Sequence, residues 1–177
     1  MRKLFIFLSL AFTSILLTGC DGLLDQVQTA TTIAALQGND TVEINTTWTD
    51  PGAKLYVGTT EYIATTTDTV DTTTLGLYEI DYGYEYAGEN YTVTRYVIVV
   101  DQTPPTLELE AGIDTLKVGT TWTDEGAKVV DNSLETLTII VTGTVDTSTI
   151  GTYTITYTAT DSSGNTASIV RYVDVIE

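Results

Sequence analysis

Apolar and polar side chains alternate along much of the chain with a period of two residues. Tyr153, Ile155, Tyr157 and Ala159 fall on one face of an extended segment, and the threonines between them fall on the other. This alternation is typical of an antiparallel strand with one buried face. After the first twenty residues no segment shows helical periodicity of useful length, so the pattern predicts an all-β protein.

The C-terminal half contains the clearest predicted strands. Residues 161–165, DSSGN, predict a hairpin loop because Gly and Asn tolerate positive φ, and the strand that follows runs over 169–176. Shorter apolar runs predict further strands near 107–109, 116–118, 127–130 and 137–141. Six or seven short strands separated by frequent turns predict a β-sandwich.

The chain contains an internal sequence repeat with two copies. Its longest match, TTWTDPGAK against TTWTDEGAK, has eight of nine positions identical at an offset of 74 residues. The matching pairs of segments are 46–54 with 120–128, 76–82 with 151–157, and 95–97 with 171–173. Their offsets grow by single residues, as expected when insertions fall in loops. A period of this length suits a complete small domain.

The repeat predicts two domains, over residues 33–101 and 106–177. They are joined by a linker at 102–105 that contains Pro104 and Pro105. Consecutive prolines stiffen the chain and disfavour helix, so we expect the linker to be short and semi-rigid.

The first twenty residues have the features of a secretion signal. Arg2 and Lys3 precede an apolar run over residues 4–17. The run is shorter than the roughly 20 residues of a membrane span and suits the apolar core of a signal peptide. Leu17-Thr18-Gly19-Cys20 follows and resembles the lipobox of bacterial lipoproteins. The alternative is an ordinary signal or membrane helix followed by a buried or reactive Cys.

The lipobox resemblance implies a membrane-anchored chain. It implies that residues 1–19 are removed, that Cys20 carries the lipid as first residue of the mature chain, and that residues 20–32 form a tether. Each buried CH₂ contributes about 0.8 kcal/mol, so two or three acyl chains anchor durably. We therefore expect an extracytoplasmic protein whose partner through Cys20 is the bacterial cell membrane or envelope surface.

Composition narrows the function classes. The net charge is −17, and without Arg2 and Lys3 it is −19, with five basic residues against 24 acidic ones. Such a surface repels nucleic acid phosphates, so we expect no nucleic acid partner. The chain has no His and one Cys, which excludes an intramolecular disulfide and removes the commonest general base.

The same composition argues against catalysis. A carboxylate pair of the glycosidase kind is the remaining catalytic alternative, but among 24 acidic residues some pairs lie close by chance. We predict that the protein is not an enzyme and has no catalytic residues. Apart from calcium, considered below, we expect no cofactor.

Several motifs resemble those of a known domain family. They are Pro104-Pro105-Thr106, WTDEGA at 122–127, Asp131-Asn132, GTYTITYTATD at 151–161, and Gly164-Asn165. The chain is similar to the tandem bacterial Ig-like domains of surface proteins, including the family named for a pesticidal crystal toxin. The resemblance covers nearly all of 103–177 and, more weakly, 33–101. It implies two tandem Ig-like antiparallel β-sandwiches, an extracellular adhesive or spacer setting, and no enzyme chemistry.

Four aromatic residues are assigned structural roles. Tyr78 and Tyr153 lie in Gly-x-Tyr-x-Ile motifs that resemble the tyrosine corner of Ig-type sandwiches. In antibody domains a Cys follows two places later, whereas here Ile does, so the core relies on aliphatic packing. Trp48 and Trp122 do not match the antibody strand-C Trp and lie near the early strands of each copy.

Three aspartates form a candidate calcium site. Asp101 directly precedes the linker, and Asp131 and Asp161 lie in predicted sandwich-end loops; we expect these segments to meet at a domain junction. Oxygen-rich junctions of this kind hold Ca²⁺ with 6–8 ligands. The sequence lacks a spaced ligand loop, and the alternative is turn and capping chemistry by Asp and Asn.

The tyrosines form a candidate binding surface. Eight of the eleven lie in the first copy, where Tyr84 and Tyr86 occupy the positions of Ala159 and Asp161 in the second. Tyr provides amphipathic contact area at low entropic cost. We expect these two residues to bind a protein or glycan. The alternative is that they cover the sandwich end or pack against the tether.

Three functional hypotheses follow. The first is a lipid-anchored surface protein whose Ig-like domains act as a non-catalytic binding or adhesion module. The second is a passive spacer or envelope structural lipoprotein without a ligand. The third is a calcium-dependent adhesion element.

Overall fold

A computed structural model describes residues 30–177 as strands and turns without a helix. The predicted signal peptide, Cys20 and the tether up to residue 29 lie outside the described residues. The strands of the first copy, called domain 1, are β1 (Thr31–Ala35), β2 (Thr41–Glu43), β3 (Ala53–Val57), β4 (Thr60–Ala64), β5 (Gly76–Tyr86) and β6 (Glu89–Val100). Those of the second copy, called domain 2, are β7 (Thr106–Leu109), β8 (Thr115–Lys117), β9 (Ala127–Val130), β10 (Ile139–Thr142), β11 (Gly151–Thr160) and β12 (Thr166–Ile176). The all-β prediction is confirmed.

Within residues 30–177 there is no helix long and apolar enough to cross a membrane.

Domain 1 consists of two three-stranded sheets. Their strand orders are β1-β3-β4 and β2-β6-β5, and a bridge between Thr65 and Gly83 connects the end of β4 to β5. The inner faces bury apolar residues from both sheets, namely Val42, Ala53, Ala64, Ile80, Tyr82 and Val97. The alternating burial along β5 explains why its odd and even positions differ in polarity.

Domain 2 has the sheets β10-β11-β12-β8 and β7-β9, and it differs from domain 1 in that its fourth strand, β10, pairs with β11, whereas β4 pairs with β3. Its core is built around Leu116, Val173 and Val175, with Trp122 and Tyr153 packed against them. No sheet in the described part of the chain contains strands from both domains.

Each domain has one parallel strand pair at a sheet edge. Short β2 pairs with β6, and short β8 pairs with β12, both in parallel, so these sheets are mixed and not purely antiparallel. In domain 1, residues 36–40 carry the chain from the β1 sheet to the β6 sheet. A strand of three residues is too short for its polarity pattern to reveal its direction.

The four assigned aromatic residues make duplicated contacts. The Tyr78 hydroxyl donates to the Thr74 carbonyl, and the Tyr153 hydroxyl donates to the Thr149 carbonyl, both at 2.9 Å. The Trp indoles behave alike: Trp48 Nε1 donates to Asn39 O and Trp122 Nε1 to Ile113 O, again at 2.9 Å. Each side chain therefore ties a core aromatic to a turn or loop of its own domain.

A buried arginine recurs at the centre of each domain. The Arg95 guanidinium donates to Asp40 Oδ1 at 2.5 Å and to the Leu36 carbonyl. In domain 2, Arg171 donates to Asp114 Oδ1 at 2.7 Å and to the carbonyls of Glu110 and Gly126. Because their terminal nitrogens donate to carboxylates and backbone carbonyls, these charges are tolerated inside the sandwich, even though each Nε is buried without a hydrogen-bond partner among residues 30–177.

Candidate functional site

The structure brings together the three aspartates proposed to bind a cation. Asp101 follows β6, Asp131 follows β9 and Asp161 follows β11. One carboxylate oxygen from each lies within 4.8 Å of those of the other two. All three lie at the end of domain 2 where the chain enters it, which we call the entry pole of domain 2.

Hydrogen bonds within the turns occupy only some of the carboxylate oxygens of the three aspartates. Asp131 Oδ1 accepts from Ser133 N at 2.8 Å, and Asp101 Oδ1 accepts from Thr103 N at 3.2 Å. Both oxygens of Asp161 accept from Asn165, through N and Nδ2, at 2.8 Å. The capping alternative therefore explains one oxygen each of Asp101 and Asp131, and leaves the second oxygen of each without a role.

The remaining oxygens are buried without hydrogen-bond donors. Within residues 30–177, Asp101 Oδ2, Asp131 Oδ2 and Asn132 Oδ1 have no such partner. Asp101 and Asp161 are only 8% and 6% exposed. Burial raises the pKa of Asp101, a backbone hydrogen bond from Thr103 opposes this, and the charges of Asp161 and Asp131 raise it further. The site concentrates negative charge in a place with little water.

Glu43 links the two domains beside this cluster. Its Oε1 accepts from Gln102 N at 2.9 Å, from Thr103 Oγ1 at 2.7 Å and from Asn132 Nδ2 at 3.0 Å. Burial acts to raise the pKa of Glu43, but these hydrogen bonds outweigh it and the pKa is lowered. Asn45 Nδ2 adds a 2.8 Å bond to the Asn132 carbonyl. Strand β2, the linker and the loop after β9 therefore meet at one junction.

The sequence had not assigned Glu43 or Asn132 to any site. The available signal was the Asp131-Asn132 pair, which has no close equivalent in the first copy. Glu43 gave no signal, because its contacts join segments 59 to 89 residues apart.

The structure also gathers three tyrosines of domain 1. The ring of Tyr62, on β4, lies 5.3 Å from that of Tyr84 and 5.4 Å from that of Tyr86, measured between centroids. All three side chains are half-buried. Burial raises the pKa of Tyr62, and the neighbouring Tyr86 adds to the rise. We call these three residues the tyrosine cluster.

Tyr62 was missed from the sequence because it belongs to another strand. The Thr65–Gly83 bridge sets the register between β4 and β5. Continuing that register places Tyr62 opposite Tyr86, within reach of a cross-strand aromatic contact. A shallow groove of about 510 Å³ adjoins the cluster, lined in part by Gly83, Tyr84 and Tyr91.

The tyrosine cluster lies where the chain enters domain 1. Gly58 N donates to the Ala30 carbonyl at 3.1 Å, so the turn between β3 and β4 adjoins the chain entry. Tyr62 is two residues beyond the start of β4, and Tyr86 ends β5 at the hairpin turn. The cluster therefore marks the entry pole of domain 1.

The entry poles of the two domains differ in the chemistry of their side chains. At the repeat offset of 75 residues, Tyr86 corresponds to Asp161 and Tyr84 to Ala159. In domain 2 this pole presents carboxylates and is covered by domain 1 and the linker. In domain 1 it presents aromatic rings.

The comparison with known families agrees with the repeat. Residues 34–99 and 109–175, together more than half of the chain, each match the family model described as bacterial surface protein, Ig-like domain. This confirms the resemblance inferred from the sequence motifs. No curated protein matches the chain.

Proposed function

Since the chain belongs to the family of bacterial surface proteins with Ig-like domains, we propose that it is a lipid-anchored, non-catalytic binding protein. The Leu17-Thr18-Gly19-Cys20 sequence supports the lipid anchor. The absence of His from the sequence supports a non-catalytic role. The tyrosine cluster is the observation that supports binding.

The cluster has the properties of a contact surface. Tyr62, Tyr84 and Tyr86 form a half-buried aromatic group beside an open groove. Tyrosine offers rigid apolar area together with a hydroxyl that hydrogen-bonds, and it is enriched where proteins bind other proteins. Its ring also stacks on the apolar faces of sugars.

The position of the cluster indicates which side the ligand comes from. Nine residues lie between Cys20 and Ala30, and the ten Cα–Cα steps from Cys20 to Ala30 span at most about 36 Å. The entry pole of domain 1 therefore lies within that distance of a lipid anchor on Cys20. We propose that the ligand is a protein or glycan of the cell's own envelope, while domain 2 projects outward.

The charge around the cluster limits the classes of ligand that fit it. Glu61, Glu85 and Glu89 are exposed around the cluster. These carboxylates repel anionic polymers and anionic lipid head groups. Neutral sugars and neutral or basic protein segments fit this surface best.

Tyrosine substitution tests the binding role. We expect Tyr84→Ala with Tyr86→Ala to reduce sedimentation of the soluble chain with isolated envelopes by at least about tenfold, since a lost aromatic anchor typically costs about 2 kcal/mol. Tyr172→Ala is the matched control, because this tyrosine of domain 2 is 63% exposed and lies outside the cluster.

Two outcomes of this experiment would contradict binding through the cluster. One is undiminished sedimentation of the double variant. The other is an equal loss in the Tyr172→Ala control. Absence of sedimentation by the wild-type chain would favour the passive spacer.

The lipid anchor has its own test. We expect cells fed a labelled fatty acid to label the wild-type chain but not the Cys20→Ala variant, because a chain without the thiol has no acceptor for the diacylglycerol. Gel fluorography of both chains measures this. Label retained on Cys20→Ala would contradict lipidation at this residue.

A further inference from the structure

The aspartates at the entry pole of domain 2 have the spacing of a metal coordination sphere. Ca²⁺ binds oxygen ligands at 2.3–2.6 Å, so two oxygens of one sphere lie roughly 3–5 Å apart. The carboxylate oxygens of Asp101, Asp131 and Asp161 lie within 4.8 Å of one another. We propose that these residues bind one Ca²⁺ ion, which fixes domain 2 against domain 1.

Burial distinguishes this cluster from surface carboxylates. Asp101 is 92% buried by its 8% exposure, and its Oδ2 has no hydrogen-bond donor within residues 30–177. Asp131 Oδ2 and the neighbouring Asn132 Oδ1 are also buried atoms without a hydrogen-bond donor among these residues. A buried oxygen without a donor destabilises the fold unless a cation or another partner satisfies it. A cation held by the three aspartates would satisfy the unpaired oxygens of Asp101 and Asp131.

Within residues 30–177, no basic residue forms an ion pair with the cluster. In the part that the structure describes, the ion pairs of Lys54, Arg95, Lys128 and Arg171 are with Glu61, Asp40, Glu110, and Asp114 and Asp124. Lys117 pairs in register with Ile176, at the opposite end of β12 from the cluster. The described residues therefore provide no compensating charge, and a bound cation would supply it.

The ligand set selects calcium. It consists of the carboxylate oxygens of three aspartates with no nitrogen or sulfur ligand, which suits a hard cation. Mg²⁺ requires near-ideal octahedral geometry and gives up its water reluctantly, whereas Ca²⁺ accepts 6–8 oxygens in irregular arrangements. Ligands from three separate loops form such an irregular arrangement.

Ion binding would couple the two domains. Asp101 closes domain 1 and begins the linker, whereas Asp131 and Asp161 belong to loops of domain 2. The existing hydrogen bonds from Asn132 to Glu43 and from Asn165 Nδ2 to the Asp101 carbonyl cross the same junction. The ion adds a central contact to this shell, so its removal loosens the interdomain angle. This role does not depend on a ligand at the tyrosine cluster.

Titration calorimetry of the full chain in detergent with CaCl₂ tests the site. We expect one ion per chain with a Kd of about 0.1–1 mM, the range of extracellular calcium modules. Asp131→Asn should raise the Kd at least about tenfold by removing one ligand charge. Asp101→Asn also removes one ligand charge, and it should raise the Kd for Ca²⁺ by a similar factor.

Asp146→Asn is the matched control. Asp146 Oδ1 accepts from Ser148 N at 2.9 Å and Ser148 Oγ at 2.6 Å, while Asp131 Oδ1 accepts from Ser133 N at 2.8 Å and Ser133 Oγ at 2.5 Å. The two turns are alike, but Asp146 lies outside the cluster. The control should bind Ca²⁺ with a Kd within about twofold of the wild-type value.

Thermal unfolding gives a second readout that does not depend on heat of binding. About 5 mM CaCl₂ should raise the Tm of the wild-type chain and of Asp146→Asn, but not that of Asp101→Asn. The proposal is overturned if the wild-type chain shows neither heat nor a Tm shift. It is also overturned if Asp146→Asn loses affinity as Asp131→Asn does, or if Mg²⁺ binds more tightly than Ca²⁺.

Discussion

At the scale of single residues, each domain is organised around a buried polar group. Tyr82 is buried and donates to Asp50 Oδ1 beside Arg95, and Tyr157 donates to Asp124 Oδ1 beside Arg171. Most of these donors and acceptors satisfy one another, so charged groups can occupy a sandwich that has no disulfide, although the Nε atoms of Arg95 and Arg171 have no hydrogen-bond partner among residues 30–177. The sequence carried a signal for this group, since Arg-Tyr-Val recurs in both copies.

Tyr82 makes the stability of the fold sensitive to high pH. Burial, with the hydrogen bond to Asp50 as a further cause, raises its pKa to about 12 from 10.0. The neutral phenol is therefore favoured in the folded state, and its contribution is complete below pH 10 and lost as the pH rises towards 12. We expect the free energy of unfolding to fall by about 2 kcal/mol across this window.

Urea unfolding at pH 9 and near pH 12 measures this effect. The variant Tyr82→Phe provides the comparison, because it cannot ionise at this position. Its stability should fall less over the same pH window than that of the wild-type chain. Equal losses in both chains would contradict the role of Tyr82.

At the scale of elements, the two long hairpins differ at their tips. The β5–β6 hairpin turns through Ala87 and Gly88 alone, whereas β11 and β12 are joined by the five residues 161–165. The shorter turn extends β5 to Tyr86 and so aligns Tyr84 and Tyr86 with Tyr62. The longer loop instead presents Asp161 and Asn165 to the domain junction.

Ala87 adopts a positive φ in the tight turn, which is unfavourable for alanine. Ala87 has φ of 53° and Gly88 has φ of 81°, as in the two-residue turns that favour Asn-Gly. Because Ala pays a steric cost in this region that Asn largely avoids, Ala87→Asn should increase the free energy of unfolding by about 0.5–1 kcal/mol. Denaturant unfolding measures the change.

Ala111→Asn is the control for this substitution. Ala111 is exposed in a loop and is not among the described residues with positive φ. It should change stability little. Stabilisation of the same size at both positions would show that the turn conformation is not the cause.

At the scale of the whole molecule, the sequence predicted the repeated domain and the strands in which apolar and polar side chains alternate. The offset between Tyr78 and Tyr153 indicated two equivalent units, and the alternation from Tyr153 to Ala159 indicated the long strand that the structure places at 151–160. The loop at 161–165 also has the predicted bounds. These features depend on local chemistry, which a single sequence expresses directly.

Contacts between distant segments were harder to predict. The approach of Asp101, Asp131 and Asp161 could be expected because a linker and sandwich-end loops meet at a junction. The roles of Glu43 and Tyr62 could not, because they depend on strand register and on which edge β2 joins. Periodicity indicates which face of a strand a residue occupies, but it does not identify the residue that lies opposite on the next strand or the edge that a strand joins.

The molecule therefore has two entry poles of different character along one chain. One is acidic and lies inside the domain junction, and the other is aromatic and adjoins Ala30 at the start of the described residues. In our proposal, domain 1 holds a ligand of the envelope and domain 2 extends from it. The central claim is that the aromatic pole contacts that ligand in the cell.

Photo-crosslinking in the producing cells tests this claim most directly. A photo-reactive phenylalanine analogue is placed at position 86 of the full-length chain, and at position 172 as the control. We predict a discrete crosslinked envelope component from position 86 and none from position 172. No product at position 86, or the same product from both positions, would contradict the account.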